Sequence, residues 1–110
     1  MSSSPELPTL ILSLIRKIPD PSVRTDIAST INFLKDLYES GHISEEQLRS
    51  DLREVIETVL EYIRPDLTRE EIENEASKKV EEFVRAIKLG ALKSRMLRTR
   101  GFVFRRRGIE

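Results

Sequence analysis

Apolar residues recur every three or four positions along most of this chain, which is the period of a helix with one buried face. The pattern predicts one short helix and three long ones. They lie near residues 7–18, between Asp20-Pro21 and Ser40-Gly41, between Ser44 and Arg64-Pro65, and from Thr68 to Gly90, where Leu92 and Met96 extend the apolar pattern. Because short connections make neighbouring helices antiparallel, the predicted fold is all-α, a small antiparallel helical bundle.

Several helix ends are marked by the residues that satisfy free backbone groups. Ser44 with Gln47, and Thr68 with Glu71, have the capping-box spacing, in which each residue bonds a backbone N–H of the other. Gly41 is placed to end the second helix in a left-handed conformation. The third and fourth helices are therefore predicted to begin just after Ser44 and Thr68.

The second predicted helix has the broadest apolar face. Phe33 and Leu37 widen a stripe formed by Val23, Ile27, Ile31, Leu34 and Tyr38. A face of this width predicts contact with more than one neighbour, so this helix is expected to be central. The first helix carries few cations on its polar face, which favours packing on the bundle, or on a second copy of it, over binding to a membrane surface.

Length and composition restrict the classes of protein to which this chain can belong. The 110 residues are enough for one domain, predicted as a helical bundle over 1–97 followed by a tail over 98–110. The chain has no cysteine and one histidine, so we predict no disulfide, no metal site and no cofactor. No apolar run reaches the roughly 20 residues that cross a bilayer. The charged fraction of 35%, with arginine exceeding lysine, is typical of a hot-adapted cytoplasmic protein.

The net charge of zero conceals two oppositely charged parts. Residues 1–84 contain 10 basic and 18 acidic residues, a balance of −8. Residues 85–110 contain 9 basic residues and 1 acidic residue, a balance of +8. Such an asymmetry indicates that the two parts of the chain have separate tasks.

The basic, mostly non-helical tail predicted at the C-terminus is the main candidate site. Guanidinium groups suit phosphate, and two phenylalanines two residues apart can stack on unpaired bases. The predicted nucleic-acid-binding residues are Lys93, Arg95, Arg98, Arg100, Phe102, Phe104, Arg105, Arg106 and Arg107. The predicted partner is DNA or RNA, including single strands, bound mainly through phosphates.

Two other interpretations of the tail stay open. It could be a solvated end, although exposed phenylalanines are unfavourable there. It could also be a docking segment, with Phe102 and Phe104 anchored on a protein while the arginines meet an acidic surface of a partner or of a second copy. The chain would then be an adaptor or assembly subunit, self-associating as a homodimer or within a larger complex.

Catalysis is not predicted. The acidic residues of the third and fourth helices fall mostly opposite the apolar stripes, which indicates a solvated face rather than paired catalytic carboxylates. His42 has no evident partner for a catalytic group. We therefore predict a non-enzymatic protein.

The segment from Asp36 to Gln47 resembles an EF-hand calcium loop, with Asp36 at position 1 and Gly41 at position 6. Two positions depart from the pattern. Tyr38 stands at position 3, and Gln47 at position 12 cannot supply the bidentate carboxylate that calcium requires. A helix end followed by a capping box produces the same spacing, and this structural interpretation is the one we predict.

Overall fold

The structure is a computed structural model that describes the backbone of residues 6–109 and the side chains of residues 6–93. Over residues 6–109 the chain forms helices and no strand. The elements are α1 (Leu7–Ile15), α2 (Pro21–Glu39), α3 (Glu45–Ile63) and α4 (Arg69–Ile109). The prediction of an all-helical chain with one short and three long helices is confirmed.

The bounds of α4 include residues 98–109, which the sequence analysis assigns to a mostly non-helical tail. The side chains of this segment lie outside the described residues, and so do the contacts that would test its packing. The division of the chain into a bundle over 1–97 and a tail over 98–110 therefore stays a prediction.

One apolar core holds the four helices together. Its buried side chains lie between Leu7 and Ile87, and no polar or charged residue is buried in the described part of the chain. The most extensive contact is between α3 and α4. These two helices are antiparallel, because Glu45 at the start of α3 pairs with Lys88, and Glu61 near its end pairs with Arg69 at the start of α4.

The first helix ends three residues earlier than the predicted 7–18. Ile18 remains buried, but its N–H bonds the carbonyl of Ile15 at 2.9 Å in a tighter turn. Pro19 explains this end, since proline disfavours a helical conformation of the residue before it. The apolar face of α1 is buried against the other helices, which confirms packing on the bundle.

The second helix contacts both α1 and α3, as predicted from its broad apolar face, but the prediction that it is central is wrong. Only Ile31 and Leu34 of α2 are fully buried, whereas Val23, Ile27 and Tyr38 are half-buried. Phe33, which widened the predicted stripe, is 60% exposed. Helical periodicity shows which face is apolar, but the width of the buried strip depends on how many neighbours are present.

The helix caps follow the predicted chemistry in most details. Ser44 accepts a hydrogen bond from the Gln47 N–H at 3.1 Å, but the Gln47 side chain donates to Asp51 instead of returning to Ser44, so this box is only half formed. The box of Thr68 and Glu71 is complete, with bonds of 2.9 and 3.2 Å in the two directions. The starts of α3 and α4 are therefore determined by local side chains.

Alanine substitutions at two glycines test the backbone conformation alone, because the added methyl group would contact no other atom at either position. Gly41 has a φ of 84°, whereas Gly90 lies inside α4 without a positive φ, and an added Cβ would meet nothing within 4 Å at either position. We expect Gly41→Ala to lower the free energy of unfolding by about 1 kcal/mol, because an L-residue is strained in the left-handed region. Gly90→Ala should raise it by about 0.5–1 kcal/mol, because alanine favours a helix.

Urea denaturation followed by circular dichroism measures both changes, and each variant serves as the control for the other. A loss of stability in both would mean that the added methyl group itself disturbs packing. A gain in both would mean that residue 41 does not adopt the left-handed conformation.

Candidate functional site

The described part of α4 extends beyond the start of α3. Glu45, the first residue of α3, pairs with Lys88 at 3.1 Å, and α4 continues beyond Lys88. Leu89 and Leu92 are 43% and 51% exposed, and Lys93 is exposed as well. We refer to residues 85–93 as the basic segment of α4.

A groove of about 870 Å³ lies between this basic segment and the connection from α2 to α3. The half-buried side chains of Tyr38 and Ile43 line one side, and Leu89 and Leu92 line the other. Val84, which is buried, also contributes to the lining. The groove therefore has an apolar lining at the end of the bundle.

Charged residues near the groove form a chain of ion pairs. Arg49 pairs with Glu81 of α4 and with Glu45 at 2.7 Å, and Glu45 also pairs with Lys88. Hydrogen bonds from Arg49 first, and then from Lys88, hold the pKa of the Glu45 carboxyl below its ordinary value. Hydrogen bonds to Glu81, and then to Glu45, raise the pKa of Arg49. Arg49 and Glu45 are half-buried and Glu81 and Lys88 are exposed, so water still screens these ion pairs, and they position α3 against α4 more than they stabilise the fold.

Arg85 and Lys93 stand apart from these pairs. Both side chains are exposed, and the ion pairs among the described residues near the groove do not include them. Arg85 lies four residues before Leu89 and Lys93 lies four residues after it, so both are on the same face of α4 as that leucine. The basic segment therefore presents cations on either side of exposed apolar surface.

The structure describes only one of the predicted nucleic-acid-binding residues. Lys93 is exposed on α4, one residue after Leu92. The side chains of the other eight lie outside the described residues. These eight are Arg95, Arg98, Arg100, Phe102, Phe104, Arg105, Arg106 and Arg107. No spatial arrangement of these eight is shown, and their role stays a prediction.

Ser40 and His42 form a pair that the sequence analysis missed. The Ser40 hydroxyl lies 2.6 Å from His42 Nδ1, but it also lies 2.9 Å from the carbonyl of Asp36 and 3.2 Å from that of Leu37. No described carboxylate orients the histidine ring, as a nucleophile–base pair needs. The hydroxyl therefore caps the C-terminus of α2, and the pair is structural.

The segment that resembles a calcium loop is a helix end followed by a helix start. The second helix includes Asp36 and Tyr38, Gly41 has the left-handed conformation of a C-cap, and Ser44 caps α3. The structural interpretation of this spacing is thus confirmed. Among residues 6–93, no three His, Cys, Asp or Glu side chains are grouped so as to hold a metal ion.

Six of the acidic residues on the described part of α3 and α4 pair with cations, and Arg69 contacts three of them. Arg69 contacts Glu61 at 2.9 Å, Glu73 at 3.2 Å and Glu57 at 3.4 Å. These carboxylates surround an arginine instead of pairing with each other in a cleft. Their arrangement agrees with the predicted solvated face.

Comparison with models of known families, with curated proteins and with solved structures finds no match to this chain. No helix in the described part of the chain is long and apolar enough to span a membrane.

The groove is the feature that sequence reasoning missed. The spacing of Leu89 and Leu92 between Arg85, Lys88 and Lys93 was visible in the chain, but the same spacing also fits a helix that continues into the core. The spacing does not show that the connection from α2 to α3 lies opposite these leucines and completes the groove. Such a contact between distant parts of the chain is not encoded in local spacing.

Proposed function

We propose that the protein is a non-catalytic accessory protein whose basic C-terminal segment binds nucleic acid, mainly through phosphates. The observation that carries this proposal is the division of charge, −8 over residues 1–84 and +8 over residues 85–110. Three residues of the basic segment, Arg85, Lys88 and Lys93, are exposed on α4 and lead directly into the predicted site. Most cations of the bundle, such as Arg49 and Arg69, pair with carboxylates, and Lys88 pairs with Glu45, whereas the ion pairs among the described residues do not include Arg85 or Lys93.

The proposed mechanism is electrostatic. Each phosphate neutralised by an arginine or lysine releases condensed counterions, so the affinity falls steeply with salt and depends little on sequence. Phe102 and Phe104 would add stacking on unpaired bases, which favours single-stranded DNA or RNA over a duplex. The acidic bundle would repel nucleic acid and direct it towards the C-terminus. High charge content and the lack of cysteine support a cytoplasmic, hot-adapted setting.

Removal of residues 99–110 tests the proposal directly. We expect the truncated chain to lose most of its affinity for single-stranded RNA and DNA, measured by fluorescence anisotropy at two salt concentrations. The free energy of unfolding should change little, because the described core lies entirely between Leu7 and Ile87. Absence of binding in both proteins, or equal binding by both, would contradict the proposal.

A second function, docking of the tail on a protein, is favoured by one specific feature, the placement of Phe102 and Phe104 among arginines. Phenylalanine anchors and arginine are enriched at protein interfaces. The two functions are distinguished by nuclease treatment of proteins captured with the full chain. The distinguishing result is a set of captured proteins that remain bound to the full chain after nuclease treatment but fail to bind the Phe102→Ala, Phe104→Ala double variant. Such a result would favour an adaptor or assembly subunit whose tail docks on an acidic partner or on a second copy of the chain.

A further inference from the structure

We propose that the groove between the α2–α3 connection and the basic segment of α4 binds an acidic amphipathic helix of a partner protein. This site is separate from the tail, so the inference goes beyond the proposed function. It rests on three properties of the groove: its apolar lining, the exposure of two leucines, and the cations beside them. Together they specify both the shape and the charge of the occupant.

The apolar part of the groove is incompletely covered. Leu89 and Leu92 are one turn apart on α4 and are about half exposed, while Tyr38 and Ile43 on the opposite side are half-buried. The volume of about 870 Å³ is within the range of ligand-binding pockets, roughly 300–1,000 Å³. Leucines at this spacing beside a groove are typical of surfaces that accept the apolar face of a helix.

The charges at the groove select the occupant. Arg85 and Lys93 flank Leu89 on one face, and Lys88 lies one turn before Leu92. Lys88 shares Glu45 with Arg49, whereas Arg85 and Lys93 are not included in the ion pairs described around the groove. The charged residues that line the groove are Arg49, Arg85, Lys88, Glu39 and Glu81. Arg49 and Lys88 pair with Glu81 and Glu45, so Arg85 is the lining cation that the described ion pairs do not neutralise. A partner with glutamates or aspartates beside its apolar face would be attracted there.

The same charges disfavour the other occupants. The apolar segment of this chain's own C-terminus, 102–104, is enclosed by arginines and would bring them against Arg85, Lys88 and Lys93. Nucleic acid would be attracted by the cations, but the exposed apolar side chains are leucines, and the aromatic ring of the lining, Tyr38, is half-buried against the core, so little flat surface is open for a base to stack on. An acidic amphipathic helix satisfies both the leucines and the cations.

The test uses the full-length protein and a labelled synthetic peptide of about 14 residues, roughly four helical turns, with leucines on one face and glutamates beside them. A matched peptide carries lysine in place of each glutamate. We expect the acidic peptide to bind at least about tenfold more tightly than the basic one in fluorescence anisotropy, since a tenfold change corresponds to about 1.4 kcal/mol. Leu89→Ser with Leu92→Ser should reduce its affinity by a similar factor.

Charge reversal makes the test specific to the groove. Arg85→Glu with Lys88→Glu should reduce the preference for the acidic peptide by about tenfold, to the level that the tail alone provides. Phe33→Ser and Lys78→Glu are matched controls, because both residues are exposed and neither lines the groove, and they should change nothing. The tail is present in every variant, so its attraction for an acidic peptide is constant across the series.

Three results would overturn the proposal. The first is a peptide affinity that is the same in the groove variants and the controls, which would assign binding to the tail. The second is a dimer in analytical ultracentrifugation that becomes monomeric in the Leu89→Ser, Leu92→Ser variant, which would make a second copy the occupant. The third is a loss of single-stranded RNA binding in that variant, which would assign the groove to nucleic acid. Circular dichroism confirms that each variant is folded.

Discussion

Replacing Phe83 by alanine is expected to lower the free energy of unfolding by about 3–5 kcal/mol, which is the usual cost of removing a buried aromatic ring. Phe83 is 2% exposed and is one of the largest fully buried side chains in the described part of the chain. It lies on α4, the helix that shares the most extensive contact with α3. Urea denaturation followed by circular dichroism at 25 °C measures the change.

Phe33→Ala is the matched control for this substitution. Both variants exchange phenylalanine for alanine inside a helix, so the difference in helix propensity is the same. Phe33 is 60% exposed, and its replacement should change the free energy of unfolding by no more than about 0.5 kcal/mol. Similar losses in the two variants would show that the face of α2 carrying Phe33 is covered by another molecule in solution.

Neutralising three arginines of the tail is expected to change the salt dependence of nucleic-acid binding. For single strands, each phosphate contact contributes about 0.7 to the slope of log affinity against log salt concentration. In the variant with glutamine at positions 105, 106 and 107, the magnitude of this slope should therefore decrease by about 2. At roughly 0.1 M salt its affinity should fall about 100-fold.

Replacing Arg105, Arg106 and Arg107 by lysine is the control, because it preserves the charge and removes the guanidinium groups. The slope should then be unchanged, and any loss of affinity measures the specific contribution of the guanidinium fork. A slope that is unchanged in the glutamine variant would mean that these three residues do not contact phosphates, which contradicts the electrostatic mechanism.

The helix starts were predictable from the sequence because their causes are local. Asp20 accepts a hydrogen bond from the Ser22 N–H at 2.9 Å, and Thr68 and Glu71 bond each other's backbone across three residues. Such contacts depend only on nearby residues of the chain. Even here a competing partner can intervene, as Asp51 does by accepting the hydrogen bond of the Gln47 side chain.

The burial of each helix face was less predictable. The broad stripe of α2 indicated a central helix, yet α3 and α4 form the main interface and Phe33 is exposed. An apolar pattern shows which residues can be buried, but the available neighbours decide which of them are. The early end of α1 has a different cause. Pro19 disfavours a helical conformation of Ile18, and although this effect can be read from the sequence, the predicted helix 7–18 still included Ile18.

Three properties could be predicted from residue order: the helical fold, the positions of the main caps, and the division of charge into −8 and +8 parts. These properties depend on residue order alone, through hydrogen bonds and spacings within a few residues. The groove beside Leu89 and Leu92, by contrast, exists only in the folded chain, because the α2–α3 connection that lines its other side is distant from α4 in sequence. Contacts between side chains distant in sequence, such as Glu45 and Lys88, form only when the helices pack, so the spacing within one helix does not predict them.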